Sequence, residues 1–255
     1  MARQSVFRAT RWCLAILIAL AAVPSSMALI DLELRVIPEG CTARIVVFEL
    51  YAVSDSAADQ SLSAMDVILS WDPAVLQLLG NDTSGPYPYN WLFSGFQDDS
   101  GLDGLNNTWS DGDALYTAWG QLGGSPAYAT PSGLLVTKFR FRKLLVNETT
   151  TVDILASAGM YTDTVVYDGQ TPGLDVTGTL NGATITTSPK GDLNCDGVVD
   201  LFDIDAFVAA MTALPPDYLS YYAAYPGCDH ARADCNCDGT VNLFDIDPFV
   251  DLLTS

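Results

Sequence analysis

The segment Asp192–Met211 reads DLNCDGVVDLFDIDAFVAAM, and the segment Asp234–Leu253 reads DCNCDGTVNLFDIDPFVDLL. Each matched residue of the second lies 42 positions beyond its counterpart in the first, so the chain carries two copies of one small unit. Counted from the first Asp, oxygen-bearing side chains fall at positions 1, 3, 5, 9 and 12. They are Asp192, Asn194, Asp196, Asp200 and Asp203 in the first copy, and Asp234, Asn236, Asp238, Asn242 and Asp245 in the second. Position 6 is Gly197 or Gly239. Position 7 is Val198 or Thr240, where only a backbone carbonyl is required. A loop with this spacing wraps one Ca²⁺ in hard oxygen ligands, and the glycine permits the sharp turn between its halves. An Asx-Gly turn alone would explain one copy. It does not explain two with the same ligand spacing, so two bound Ca²⁺ ions are expected.

Each loop runs into a helical apolar stripe: Leu201, Ile204, Phe207, Val208 and Met211, then Leu243, Ile246, Phe249, Val250 and Leu253. No helical pattern leads into the first loop, where Pro189, Lys190 and Gly191 stand, and position 12 is Asp rather than Glu. A loop with an exit helix, used twice with Asp at position 12, resembles the dockerin module of cellulosome-type assemblies over residues 190–255. The resemblance implies a small α-helical module with two EF-hand-like calcium loops that docks on a cohesin-type domain of another protein. Family members often carry Ser-Thr at positions 10 and 11. Here Leu201-Phe202 and Leu243-Phe244 stand there, so a more apolar docking face is expected, with packing of the two Phe between the halves as the alternative. A piece of about 65 residues has little core of its own, so metal is expected to supply much of its folding energy.

Residues 1–28 read as a secretory signal peptide. Arg3, Arg8 and Arg11 precede the apolar run Cys13–Val23, and Ser26-Met27-Ala28 offers a small-residue cleavage site. The run is short for a bilayer span, which needs about 20 residues, so an exported chain with no membrane anchor after cleavage is expected. The formal charge is −20, and loss of the three arginines makes it more negative still. Nucleic acid and anionic membranes are therefore excluded as partners. Twelve of the acids, all Asp, lie in 190–255. Export permits disulfides, and Cys195, Cys228, Cys235 and Cys237 crowd the tail. Sequence does not choose among their pairings, although Cys235 and Cys237 are too close to pair with each other. Zinc is the alternative, with His230 as the one histidine. Cys41 is left over as a buried small residue or an intermolecular thiol.

Residues 29–187 read as mainly β. Ile30, Leu32, Leu34 and Val36 alternate with polar residues, Ile45–Phe48 is a more buried run, and Met65, Val67, Leu69 and Trp71 alternate again. Leu115, Thr117 and Trp119 follow. Leu135, Thr137, Phe139 and Phe141 are expected to face the core, opposite Lys138, Arg140 and Arg142. Val152 and Ile154, Met160–Tyr167 and Ala183–Thr187 complete a two-sheet sandwich with Gly, Pro, Asn and Asp between its strands. Met65–Leu79 (MDVILSWDPAVLQLL) and Gly133–Arg142 (GLLVTKFRFR) resemble signature strands of cohesins, and Asn181–Ile185 resembles their final strand. The resemblance implies a cohesin-like jelly-roll sandwich, an architecture shared with carbohydrate-binding sandwiches. The expected organisation is signal peptide 1–28, sandwich 29–187 and dockerin 188–255.

The irregular stretch 81–112 gathers Tyr87, Tyr89, Trp91, Phe93, Phe96 and Trp109, which either cap the sandwich or present rings to a sugar. Asp98, Asp99, Asp103, Asp111 and Asp113 lack the regular spacing that would argue for a further ion. The sandwich has no nucleophile elbow, no HExxH and no histidine, and its Glu are few: Glu33, Glu39, Glu49 and Glu148. No catalytic residue stands out. The function expected is therefore a secreted, non-catalytic assembly protein of polysaccharide degradation that docks through calcium. The alternatives are a polysaccharide-binding sandwich or a divergent O-glycosyl hydrolase carried by the same tail. A cohesin-like and a dockerin-like part in one chain also raise self-association.

Overall fold

The computed structural model describes residues 28–37, 44–97, 103–120 and 123–254. The signal segment, apart from Ala28, lies outside the described residues, as do Glu39, Cys41, Asp98 and Asp99. In chain order the strands are β1 (Ile30–Val36), β2 (Ile45–Ser54), β3 (Gln60–Leu62), β4 (Ala64–Ser70) and β5 (Leu76–Asp82). There follow β6 (Phe93–Phe96), β7 (Asp113–Trp119), β8 (Ala127–Ala129), β9 (Leu134–Lys143) and β10 (Thr149–Leu155). The last strands are β11 (Ser157–Ala158), β12 (Thr162–Asp163), β13 (Val165–Tyr167), β14 (Thr177–Asn181) and β15 (Ala183–Thr186). Helices α1 (Asp203–Thr212), α2 (Leu219–Ala224) and α3 (Ile246–Thr254) end the chain. No described helix is long and apolar enough to cross a membrane.

Two sheets form a sandwich. One has the order β14-β1-β2-β9-β5, and the other β15-β10-β4-β7-β6, with β13 also on β4. The long central strands alternate as their sequence dictates. Val46, Phe48, Leu50 and Ala52 of β2 are buried while Val47, Glu49 and Tyr51 are half-exposed. The sheets meet through rings. Tyr116 of β7 lies edge-on to Phe139 of β9 at 5.1 Å, and Phe141 contacts Phe48 at 5.5 Å and Trp71 at 5.2 Å. The expected Asp-Pro stop after β4 is a turn: Asp72 accepts from Ala74 N through Oδ1 at 2.9 Å, and its carbonyl accepts from Val75 and Leu76.

Three readings of this part change. In β9, Thr137, Phe139 and Phe141 do face the core, but Leu135 is half-exposed while Leu134 and Val136 are buried. The register against β2 shifts between Leu50 and Tyr51, which pair with Thr137 and Leu135. Val136 is the extra residue of this bulge, and one inserted residue moves the following side chains to the opposite face. Met160–Tyr167 is not one strand. Gly159–Tyr161 turn between β11 and β12, leaving Met160 and Tyr161 exposed. Strands β5, β6 and β14, which the sequence did not single out, complete the sheets.

The tail has its own core, in which Leu193, Val199, Phe207, Tyr221, Cys235, Phe249 and Leu252 are buried together. It is fastened to the sandwich. At the sandwich's last residue, Thr187 N donates to Glu148 O at 2.8 Å and Glu148 N donates to Thr187 Oγ1 at 2.9 Å, extending the β10–β15 pairing up to the tail. Val146 N reaches Gly197 O at 3.0 Å, and Arg44 donates to Val199 O. Phe141 is the test of the sandwich core. It is fully buried between two aromatic partners, so Phe141→Ala is expected to destabilise the sandwich by about 3–5 kcal/mol, measured by urea unfolding followed through tryptophan fluorescence.

Candidate functional site

The two repeats fold into matching loops. Position 4 is left-handed in both, at Cys195 (φ 61°) and Cys237 (φ 60°), and so is position 6, at Gly197 (φ 92°) and Gly239 (φ 88°). A Cβ on either glycine would meet nothing within 4 Å. Glycine is therefore required for its backbone angle, not for room. Between these turns the side chains at positions 3, 5 and 9 each accept from the backbone two residues on. Asn194 accepts from Asp196 at 2.9 Å, Asp196 from Val198 at 3.0 Å and Asp200 from Phe202 at 2.8 Å. Asn236, Asp238 and Asn242 repeat the pattern with Asp238, Thr240 and Phe244 at 2.9, 2.9 and 2.8 Å.

Position 12 closes each loop onto its exit helix. Asp203 is fully buried and accepts from Leu193 N at 2.7 Å and Asn194 N at 3.0 Å through Oδ1, and from Asp200 N at 2.9 Å through Oδ2. Asp245, equally buried, accepts from Asn236 N at 3.0 Å and Asn242 N at 2.8 Å. Position 1 differs between the copies. Asp234 accepts from Asp238 N at 3.1 Å and Gly239 N at 3.3 Å. Asp192 is 1 % exposed, with Oδ2 2.7 Å from Arg232 Nη1 and Oδ1 buried without a hydrogen-bond partner. A buried carboxylate oxygen without a donor is costly unless a cation meets it. The donor set and this orphaned atom fit a hard divalent ion in the first loop. Among the described residues, no three His, Cys, Asp or Glu side chains converge as a metal cluster.

Basic side chains are exchanged between the loops. Arg232 stands two residues before the second loop and pairs with Asp192, the first residue of the first. Lys190 stands two residues before the first loop and pairs with Asp234, the first residue of the second, at 3.1 Å. Sequence reading missed this exchange, although Lys190 and Arg232 are themselves 42 positions apart. Extending the repeat alignment two residues upstream would have found them. The helices meet on the same symmetry: Phe207 of α1 stacks on its counterpart Phe249 of α3, with centroids at 4.1 Å and ring planes 3° apart.

Leu201, Phe202, Leu243 and Phe244 are 72, 78, 75 and 78 % exposed. They do not pack between the halves. Ile204, Val208, Ile246 and Val250 extend the same two exposed strips. The cysteines and histidine serve structure. Cys195 is disulfide-bonded to Cys228, and Cys237 is also in a disulfide. Cys235 is buried and free, with burial pushing its thiol up to about 12. His230 stacks on Tyr218 at 3.8 Å and lies 3.0 Å from Ala210 O. Among the described residues, these contacts leave no thiolate cluster for zinc. In the sandwich, both oxygens of Asp103 bind the β11–β12 turn, at Met160 N, Tyr161 N and Thr162 Oγ1. Its role there is to hold that turn.

No protein-family model matches the sequence, and no curated protein matches it. Solved structures similar to the chain are cohesin modules. The cohesin module of a Clostridium perfringens family 33 glycoside hydrolase is 10 % identical, covering 63 % of this chain and 97 % of its own, with a TM-score of 0.43. The sixth cohesin of Acetivibrio cellulolyticus scaffoldin B, solved with a Cel5 dockerin, is 14 % identical over 60 % of this chain and 96 % of its own, at 0.40. A type II cohesin domain from the Acetivibrio cellulolyticus cellulosome is 17 % identical over 63 % and 95 %, at 0.39. At these scores the two-sheet assignment stands on the chain's own strand order and burial.

The first loop carries a pH signature. Desolvation raises the Asp192 carboxyl above the ordinary carboxylate range against the pull of Arg232, and raises Asp203 against its backbone donors. A carboxyl raised on folding holds more protons in the folded chain than in the unfolded one. Its contribution to stability is thus present at acid pH and lost as pH climbs from the ordinary range through the raised value. In chelator, the tail is expected to melt at a lower temperature at pH 7 than at pH 5, followed by near-ultraviolet circular dichroism. A melting point that rises over that interval would contradict it.

Proposed function

We propose that the chain is an exported assembly protein whose tail binds two Ca²⁺ ions and docks, through its exposed Leu-Phe strips, on a cohesin-type domain of another protein. The observation that carries this reading is the duplicated loop with a ligand-type oxygen at every required position, one of them the orphaned Oδ1 of Asp192. Asp192, Asn194, Asp196, Asp200 and Asp203, with the Val198 carbonyl, would hold the first ion. Asp234, Asn236, Asp238, Asn242 and Asp245, with the Thr240 carbonyl, would hold the second. A bound ion would supply positive charge to acids that include the buried Asp192, Asp203, Asp234 and Asp245. The protein's own part is to aim those oxygens and to present Leu201-Phe202 and Leu243-Phe244 beside them. Large apolar side chains at such exposure, paired on two equivalent surfaces, suit a partner that buries them. The sandwich is read as cohesin-like on its signature strands, which leaves head-to-tail association of copies open to the same assay.

A second reading, polysaccharide binding by the sandwich, has an observation of its own. A cleft of about 530 Å³ is walled by Tyr87, Tyr89 and Trp91 with Asn90 and Ser94, and no charged side chain lines it. Trp91 Nε1 is buried without a hydrogen-bond partner. A neutral, ring-walled cleft suits an uncharged, hydroxyl-rich ligand.

Calorimetric titration of the secreted chain is expected to give two Ca²⁺ per molecule, and capture of a cohesin-type domain is expected in calcium but not in chelator. Exchanging Phe202 and Phe244 together for Ala should weaken capture at least about tenfold, as loss of two central apolar anchors does, with calcium affinity unchanged. Equal loss of both would show that the rings support the calcium loops rather than the partner contact. Retention on insoluble polysaccharide, abolished by Trp91→Ala, would favour the second reading, and sugar release would assign catalysis.

A further inference from the structure

Resting on the calcium reading, we propose that Lys190 and Arg232 couple the two loops, so that an ion held by one organises the first ligand of the other. The lead-in segments lie side by side: Gly191 N donates to Arg232 O at 3.0 Å, and Lys190 Nζ donates to Ala231 O at 2.7 Å. From this shared seam each cation crosses to the opposite loop. Arg232 Nη1 binds both the carbonyl of Asp192 at 3.2 Å and its Oδ2 at 2.7 Å, leaving Oδ1 for an ion. Lys190 Nζ holds Asp234 Oδ2 at 3.1 Å. An ion that closes the second loop fixes its lead-in at 231–234, and with it the anchor of the Arg232 side chain that aims Asp192. Closing the first loop fixes Lys190 over Asp234 in the same way. The ordering of two long, flexible side chains is completed with the first ion, so the second binds to a loop already arranged.

The charges agree with this arrangement. The first loop carries Asp192, Asp196, Asp200 and Asp203, faced by Arg232 and by Arg44, whose charge acts on Asp200 and Asp203. The second carries Asp234, Asp238 and Asp245, faced by Lys190. Each loop is left with a surplus of two negative charges, the charge of one divalent ion. The brace cations thus couple the loops without removing the charge that draws the metal.

The test is a linkage cycle on the full secreted chain titrated with Ca²⁺. Asp238→Ala and Asp196→Ala each disable one loop and give the other loop's constant alone. The constant for filling both loops, divided by the product of these two, is the coupling factor. It is expected to be about fivefold or more in the unmodified chain and to fall to about one, the value for independent sites, when Lys190→Gln and Arg232→Gln are combined. Arg232→Lys with Lys190→Arg keeps both cations and should restore the coupling. Circular dichroism in Ca²⁺ checks that the Gln variant is folded; if it is not, the factor in the unmodified chain and in the Lys/Arg exchange decides. Independent binding in the unmodified chain overturns the coupling alone, as does a factor that persists without the two cations. No calcium binding in the unmodified chain overturns the calcium reading and the coupling together.

Discussion

Two carboxylates, Asp203 and Asp245, hold the tail in shape. Each is fully buried at the start of an exit helix, and each gathers backbone N–H groups from the beginning and the end of its own loop. A short side chain at this point draws the loop tightly onto the helix. The helix is then placed so that Phe207 meets Phe249 face to face. Loop, helix and the contact between repeats thus follow from one buried acid per copy. Burying two negative groups without offset would be prohibitive, and the backbone donors, with Arg232 and Lys190 on the neighbouring acids, are what offset it here.

The same acids explain why the exposed strips lie where they do. Positions 10 and 11 follow the side chain at position 9, Asp200 or Asn242, which accepts from Phe202 N or Phe244 N. The chain there is turning outward into the helix, so the Leu-Phe pairs point away from the small core that the helix faces fill. Surface hydrophobics of this size on a strongly acidic protein are held apart from solvent-driven collapse by the charge around them.

Much of this was legible in the sequence because the signals were local. A twelve-residue repeat of oxygen-bearing side chains, an apolar stripe at helical period and alternating strands each need only a window of the chain, and Phe48, Met65, Val152 and Phe207 are buried as their patterns imply. What escaped was non-local. The bulge at Val136 depends on how β9 registers against β2, which no window of β9 reveals. The Cys195–Cys228 bridge spans 33 residues, across both α1 and the six-residue α2, a separation no local pattern reports. The cross-loop pairing of Lys190 and Arg232 needed the two copies to be seen as partners rather than as a list of two. The exposure of Leu201 and Phe202 could not be separated from core packing, since a strong apolar pair serves either use.

The junction at Thr187 has a mechanical consequence. Just beyond it, Val146 N donates to Gly197 O and Arg44 donates to Val199 O, so two contacts seat the first loop on the sandwich. In the proposed docking, these contacts would restrict how far the tail turns against the sandwich. A stiff connector sets the separation of whatever its ends engage, so geometry alone decides whether two contacts reinforce each other or exclude each other. Lengthening that joint with glycine and serine would ease this restriction without changing any residue of the loops.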